Sequence, residues 1–332
     1  MKKRIWLLLI SLAIFAITVT ACSSSDASSS SKSTSSSKTT SSFKKTSTDD
    51  SKSDPSLTKV TSEVKSEFKQ LEYKDKKTGV TLRYNLYVPK NYSKSKSYPM
   101  MTFIHDDSVT GKSTITGVTQ GYGGSIWATK AEQKKHASFV LVPVFDTSTI
   151  SGGFGQSGSA VVKKNVQTYL DLLNKLEKKY SINKKRLYAT GQSMGGMTLF
   201  YLNSHYPKLF AATLYTSSQW DVSQLEKLKN QKFIYLAAGG DSSASKGQKD
   251  LKKMLKKYGT AYTSVTLDAT ISDKAKNTAV NKLLNQNENA NFITWKSGTV
   301  MEKSDKSMEH MASFDYAYTI PSIRDWIYNQ SK

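Results

Sequence analysis

The sequence predicts an α/β fold, a mostly parallel sheet with helices on both faces and an antiparallel edge at its N-terminal side. Three observations lead there. Short apolar runs recur at 99–105, 138–145, 186–190, 211–215, 233–238, 262–267 and 292–295, and helical or polar segments separate them. Two of these runs, PMMTFIH and SFVLVPVF, are nearly continuous in apolar character, as strands covered on both sides must be. Strands that alternate with helices in this way build parallel sheets, because each crossover must carry the chain back to the starting end.

The elements follow in order. Residues 69–75 and 80–89 read as two strands joined by a turn at 76–79, and the second places Leu82, Tyr84, Leu86 and Val88 on one face. Residues 126–136 look helical, and 151–159 form a Gly/Ser-rich loop. The helix at 162–180 is the clearest. Val162, Val166, Tyr169, Leu173, Leu176 and Tyr180 make one stripe with lysines opposite. Further helices are expected at 197–204, 222–228, 247–257 and 273–284, and Pro321 suits the first turn of a last one. No internal repeat is visible. Residues 268–291 look inserted before the final strand, either as a cap over a site or as a surface helix.

The 332 residues allow one large domain or two smaller ones until the N-terminus is set aside. Met1-Lys2-Lys3-Arg4 is a basic start, residues 5–19 are apolar, and small residues lead to Cys22, the only cysteine. Residues 1–21 therefore have the layout of a secretory signal. The segment resembles a bacterial lipobox, which implies lipidation of Cys22 and attachment to the extracytoplasmic face of the cell membrane. The alternative is an uncleaved anchor, although the apolar run is short for a bilayer core of about 30 Å. Residues 22–56 are Ser, Thr, Lys and Asp with hardly any apolar residue, so they are expected to be a disordered tether to a folded part at 57–332. A lone cysteine excludes intrachain disulfides. The net charge of +22 becomes +19 once Lys2, Lys3 and Arg4 leave with the signal. That excess favours anionic lipid or wall polymer as a partner. Its lysines are scattered and no basic recognition motif occurs, so no nucleic-acid partner is expected.

Chemistry concentrates in Gly191-Gln192-Ser193-Met194-Gly195-Gly196, which follows a strand and precedes a helix. That context is what a G-x-S-x-G turn needs, since the serine must sit in a strained backbone conformation between residues with almost no side chain. A serine needs a base, and the base needs an acid to hold its tautomer. Of the four histidines, His136 and His205 are expected at the surface and His105 in an entrance loop. His310 comes after the last strand and suits the base. Asp241, just past the run 233–238, suits the acid, with Asp221 and Asp268 as competitors. The order Ser193, Asp241, His310 is that of an α/β-hydrolase. An oxyanion hole would take one amide from Met194 and a second from Asp106 or Asp107.

The runs GQSMGGMTLFYLNSHYPKLF at 191–210, TQGYGGSIWA at 119–128 and EHMASFDYAY at 309–318 resemble bacterial α/β-hydrolases, a peptidase and esterase group related to feruloyl esterases and polyhydroxybutyrate depolymerases. The likeness covers about 71–327. It implies the same Ser193, Asp241, His310 triad, an acyl-enzyme on an ester or a peptide bond, and no cofactor or metal. One departure matters: many relatives carry His-Gly after the third strand, where this chain has His105-Asp106-Asp107. A carboxylate aimed into the hole would oppose the developing charge, so these side chains face away or the hole is built differently. Tyr122, Trp127, Gln192 and Trp220 are candidates to line a substrate cleft. An inactive binding lipoprotein on the same fold is the alternative to an enzyme.

Overall fold

The computed structural model describes residues 55–152 and 159–332. The predicted signal peptide, Cys22 and the tether up to residue 54 lie outside the described residues.

Nine strands form one sheet: β1 (Lys69–Lys74), β2 (Thr81–Tyr87), β3 (Tyr98–Ile104), β4 (Phe139–Val144), β7 (Ile182–Gln192), β8 (Ala212–Thr216), β9 (Phe233–Ala238), β10 (Tyr262–Leu267) and β11 (Ala290–Trp295). Their spatial order is β1-β2-β4-β3-β7-β8-β9-β11-β10. The seven strands from β4 to β10 run parallel, and β2 opposes both neighbours, which gives the expected antiparallel edge. A short ribbon of β5 (Ile150–Ser151) and β6 (Ala160–Val161) flanks the predicted loop at 151–159, of which residues 153–158 lie outside the described residues.

Two apolar layers sandwich the sheet. Helices α5 (Lys163–Lys179), α6 (Met194–His205) and α7 (Ser242–Lys257) pack Leu172, Phe200 and Leu251 on one face. On the other lie α1 (Leu57–Val64), α2 (Thr116–Thr119), α3 (Tyr122–Ser125), α8 (Asp273–Leu284) and α10 (Pro321–Tyr328), through Val60, Val118, Tyr122, Val280 and Ile323. Successive strand residues serve opposite layers: Ile234 and Leu236 face the second, Tyr235 and Ala237 the first. Burying each large apolar side chain contributes roughly 1.5–3 kcal/mol, so the core lies along the strands, and their ends are left to loops.

Several expectations are corrected. Helix α1, which the sequence reading left out, is capped by Ser56 and buries Val60 and Val64. The helix expected over 126–136 is broken at Thr129, whose extended backbone caps the shorter α4 (Lys130–Lys135). The expected helix at 222–228 is two 3₁₀ turns, Val222–Gln224 and Glu226–Asn230. Residues 268–291 are no cap. Their helix α8 is the ordinary crossover from edge strand β10 to β11, packed on α10, with Asn277 Oδ1 accepting from the Ser322 amide at 2.9 Å.

Candidate active site

At the carboxyl end of β7 the chain turns sharply into α6, and Ser193 sits at the turn with φ 49° and ψ −117°. A non-glycine residue there is strained, and the strain persists only where the surroundings over-determine it. The glycines do that by contact. A methyl group on Gly195 would run into the backbone carbonyl of Ile104, and one on Gly191 would meet the backbone of Gly195 and Gly196. Gly196 closes instead on Ser218, in the loop after β8. The amino end of α6 therefore lies directly on the end of β3.

Asp241 follows β9 and caps α7. Its Oδ1 accepts from the Ala244 amide at 3.1 Å, which turns Oδ2 toward His310 Nδ1 at 2.7 Å. His310 Nε2 in turn lies 2.9 Å from Ser193 Oγ. A buried carboxylate only accepts, so Nδ1 carries the proton and Nε2 is free to receive one from the serine. The imidazole stands edge-on to Phe314 at 5.2 Å. Asp221 and Asp268, the competing acids, are spent on local turns, where hydrogen bonds from Ser223 and from Thr270 hold their carboxyls below the ordinary value.

The short helix that carries His310, α9 (Glu309–Ala312), is fastened by groups that carry no signal in the sequence. Glu309 accepts from the Gly240 amide through Oε2 at 2.9 Å, and through Oε1 from the Gly298 amide at 2.7 Å and Ser297 Oγ at 3.1 Å. One carboxylate thus joins the base, the residue before the acid and the loop after β11. Ser313 Oγ donates to the His310 carbonyl at 3.0 Å and pairs with Ser217 Oγ at 2.5 Å, Ser217 itself being left-handed at φ 42°.

Met194 N is the first amide of α6 and has no intrahelical acceptor. The Met194 side chain is anchored away, its sulfur receiving Ser148 Oγ at 3.3 Å and the Thr149 amide at 3.5 Å. After β3, the Asp106 carboxylate is fully engaged: Oδ2 accepts from Gln192 Nε2 at 2.7 Å and Oδ1 from the Ser108 amide at 2.9 Å. Among the described residues the Asp106 amide has no acceptor. Asp107 accepts from Thr110 Oγ1 at 3.3 Å. His105 is no entrance residue. It is fully buried, Nδ1 donates to the Asp106 carbonyl at 2.6 Å, and Nε2 accepts from the Phe145 amide at 3.1 Å. Burial depresses its pKa below the ordinary 6.5, and the ring is held neutral.

The four expected cleft residues are packing residues. Gln192 is spent on Asp106. Tyr122 is buried on the second face and bonds the Pro55 carbonyl at 2.9 Å. Trp127 has no exposed surface, and its indole N–H donates to Gly123 at 2.8 Å. Trp220 is buried with its N–H on Gln224 Oε1 at 3.1 Å. Aromatic residues near strand ends are read as clefts too readily when their N–H and O–H groups find partners inside.

A parallel sheet with helices on both faces and a hydrogen-bonded Ser-His-Asp chain at its strand ends defines the α/β-hydrolase class. Within that class, the chain belongs to the "Putative esterase" family, whose model matches residues 76–315. It is similar to a thermostable esterase of known structure, at 23% identity and a TM-score of 0.66, over 81% of this chain and 64% of that one. It is also similar to a serine-to-alanine variant of the feruloyl esterase module from Clostridium thermocellum bound to sinapinate, at 12% identity, a TM-score of 0.52, and 79% and 88% coverage. A ferulic acid esterase shares 13% identity at a TM-score of 0.51, over 79% of this chain and 98% of that one. No curated protein matches the chain. At these identities the structures share the fold, and the chain spans about two thirds of the thermostable esterase.

Proposed function

We propose that the protein is a serine carboxylesterase, tethered through a lipidated Cys22 to the extracytoplasmic face of a bacterial membrane. The unbroken chain Ser193 Oγ, His310 Nε2, His310 Nδ1, Asp241 Oδ2 at 2.9 and 2.7 Å carries the reading. Ser193 Oγ attacks the ester carbonyl carbon while His310 Nε2 takes its proton, and Asp241 stabilises the imidazolium. The oxyanion is met by the Met194 amide and by that of Asp106. The engagement of the Asp106 carboxylate by Gln192 and Ser108 supports this reading, because it keeps that side chain from swinging freely. The bond to the alcohol oxygen then breaks, the leaving alkoxide takes the proton from Nε2, and an acyl-enzyme remains. Water attacks it with His310 as base and releases the acid.

A fluorophosphonate probe should label the protein at one site. Labelling should vanish in Ser193→Ala; a Ser193→Ala protein that labels at the parent rate would sink the assignment. Short-chain p-nitrophenyl esters should turn over at least 100-fold faster than peptide anilides, and the reverse order would make the enzyme a peptidase. The anchor is tested separately: Cys22→Ala should move the protein from the membrane fraction to the soluble one, and its retention there would argue for an uncleaved span. Substrates of ester-bearing wall polymer or lipid would suit the cationic chain, whose excess of positive charge would draw it to anionic surfaces.

A further inference from the structure

On the second face, a cluster of ionisable groups lies apart from the triad. Helix α4 places Glu132 and His136 one turn apart, and Asp325 reaches them from α10. His136 lies three residues before β4, at the amino end of the parallel strands, whereas Ser193 lies at the carboxyl end. One ligand atom from each of Glu132, His136 and Asp325 lies within 4.8 Å of the other two. His136 Nε2 is 2.8 Å from Asp325 Oδ1 and 3.8 Å from Glu132 Oε1.

The outward oxygen of each carboxylate is already held by a cation. Arg324 Nε donates to Glu132 Oε2 at 2.8 Å, and Lys135 Nζ lies 3.5 Å from Asp325 Oδ2. Those contacts leave Oε1 and Oδ1 turned to the imidazole. Glu132 is 3% exposed, and its Oε1 is buried with no hydrogen-bond partner among the described residues. A buried carboxylate oxygen left bare is costly. The imidazole plane is set by stacking on Tyr328, with 4.6 Å between ring centres and 14° between planes. Arg324, itself buried, is fixed from behind by the Tyr318 carbonyl. Two carboxylate oxygens and one imidazole nitrogen, each oriented by an outer partner, are a donor set for a borderline divalent cation, with the half-exposed Asp325 side open to water as a further ligand.

We propose that Glu132, His136 and Asp325 bind one first-row divalent transition metal of the zinc type, which pins α10 to α4 without taking part in ester cleavage. The imidazole binds through the Nε2 lone pair and keeps its one ring proton on Nδ1. Two carboxylates and the imidazole supply the ligand atoms, while Arg324 and Lys135 serve as the outer shell.

The test is titration of Zn²⁺ into chelator-stripped full-length protein against a chromophoric chelator. One competing site is expected, absent in His136→Ala and in Asp325→Asn, retained in His310→Ala, and weakened about tenfold in Lys135→Ala. Glu132→Gln is a poorer probe because it leaves Arg324 buried without its countercharge. Mg²⁺ prefers six oxygens and should not compete. No competing site, an unchanged site in His136→Ala, loss of the site in His310→Ala, or displacement by Mg²⁺ would each overturn the proposal.

Discussion

The nucleophile and the base are held in place by opposite means. Ser193 is fixed by closeness: Gly191 and Gly195 let three backbone segments touch, Gly196 admits the Ser218 side chain, and no side-chain hydrogen bond caps the turn. His310 is fixed by polar groups reaching across loops, namely Asp241 on its ring, Glu309 beside it and Ser313 beneath its carbonyl. A contact made of backbone atoms cannot give way. A short helix tied by exposed or half-exposed hydrogen bonds is held by several modest terms, each worth about 1 kcal/mol, or somewhat more to a charged group. The serine side should therefore fail abruptly on a single added atom, and the histidine side by degrees.

Gly195→Ala is the most direct way to break the steric side. Its new methyl group meets Ile104 and His105 backbone oxygens, none of which is the end of a flexible side chain. Overpacking of this kind costs roughly 1–3 kcal/mol of stability. The turn must also shift, and a displacement of about 1 Å is enough to cost on the order of 100-fold in turnover. Ester hydrolysis normalised to folded protein should fall by at least that factor. Turnover within a few-fold of the parent would show that the serine is not placed by this contact.

Glu309→Ala tests the polar side. It removes three hydrogen bonds from a half-exposed carboxylate, so we expect kcat to fall roughly 10- to 30-fold with KM nearly unchanged, a barrier higher by about 1.4–2 kcal/mol. Glu309→Gln, which keeps one acceptor oxygen, should lie between. The discriminating measurement is kcat per active site titrated with the fluorophosphonate. If Glu309 only stabilised the fold, the number of titratable sites would drop while kcat per site stayed constant.

The same contrast explains which parts of the site were legible in the sequence. Steric closeness demands glycine at fixed spacing, so the turn at Ser193 announces itself in six consecutive residues. The strands were equally plain, because burial on both faces forces nearly continuous apolar runs such as 233–238 and 99–104. Asp241 and His310 could be picked because they fall beyond strands in the required order, with Asp221 and Asp268 left as competing acids. Glu309 could not: its partners Gly240, Ser297 and Gly298 are backbone or hydroxyl donors from distant loops, and a half-exposed glutamate beside a histidine carries no periodic signal. Gln192 misled for a related reason: it is polar at a strand end, which is where site residues sit, yet its side chain is taken up by the Asp106 carboxylate. Helix α1 escaped because it buries only two side chains, Val60 and Val64.

His105 puts a smaller polar element inside the steric half. Its carbonyl helps form the surface against which Gly195 packs, while its ring bridges the Asp106 carbonyl and the Phe145 amide. Nε2 accepts from an amide there, so the ring cannot be protonated without losing that bond. Burial accordingly lowers the folded pKa below 6.5, so the neutral ring contributes stability that is fully present above 6.5. As pH falls below that value the unfolded chain takes up the proton and the folded one does not. Stability declines by up to about 1.4 kcal/mol per pH unit until the depressed folded value is reached. Denaturant unfolding between pH 7 and pH 5 should therefore show a steeper decline in the parent than in His105→Asn, which has no proton to take up. Parallel profiles would mean that His105 is protonated in the fold, and that the surface beneath Gly195 is softer than its contacts indicate.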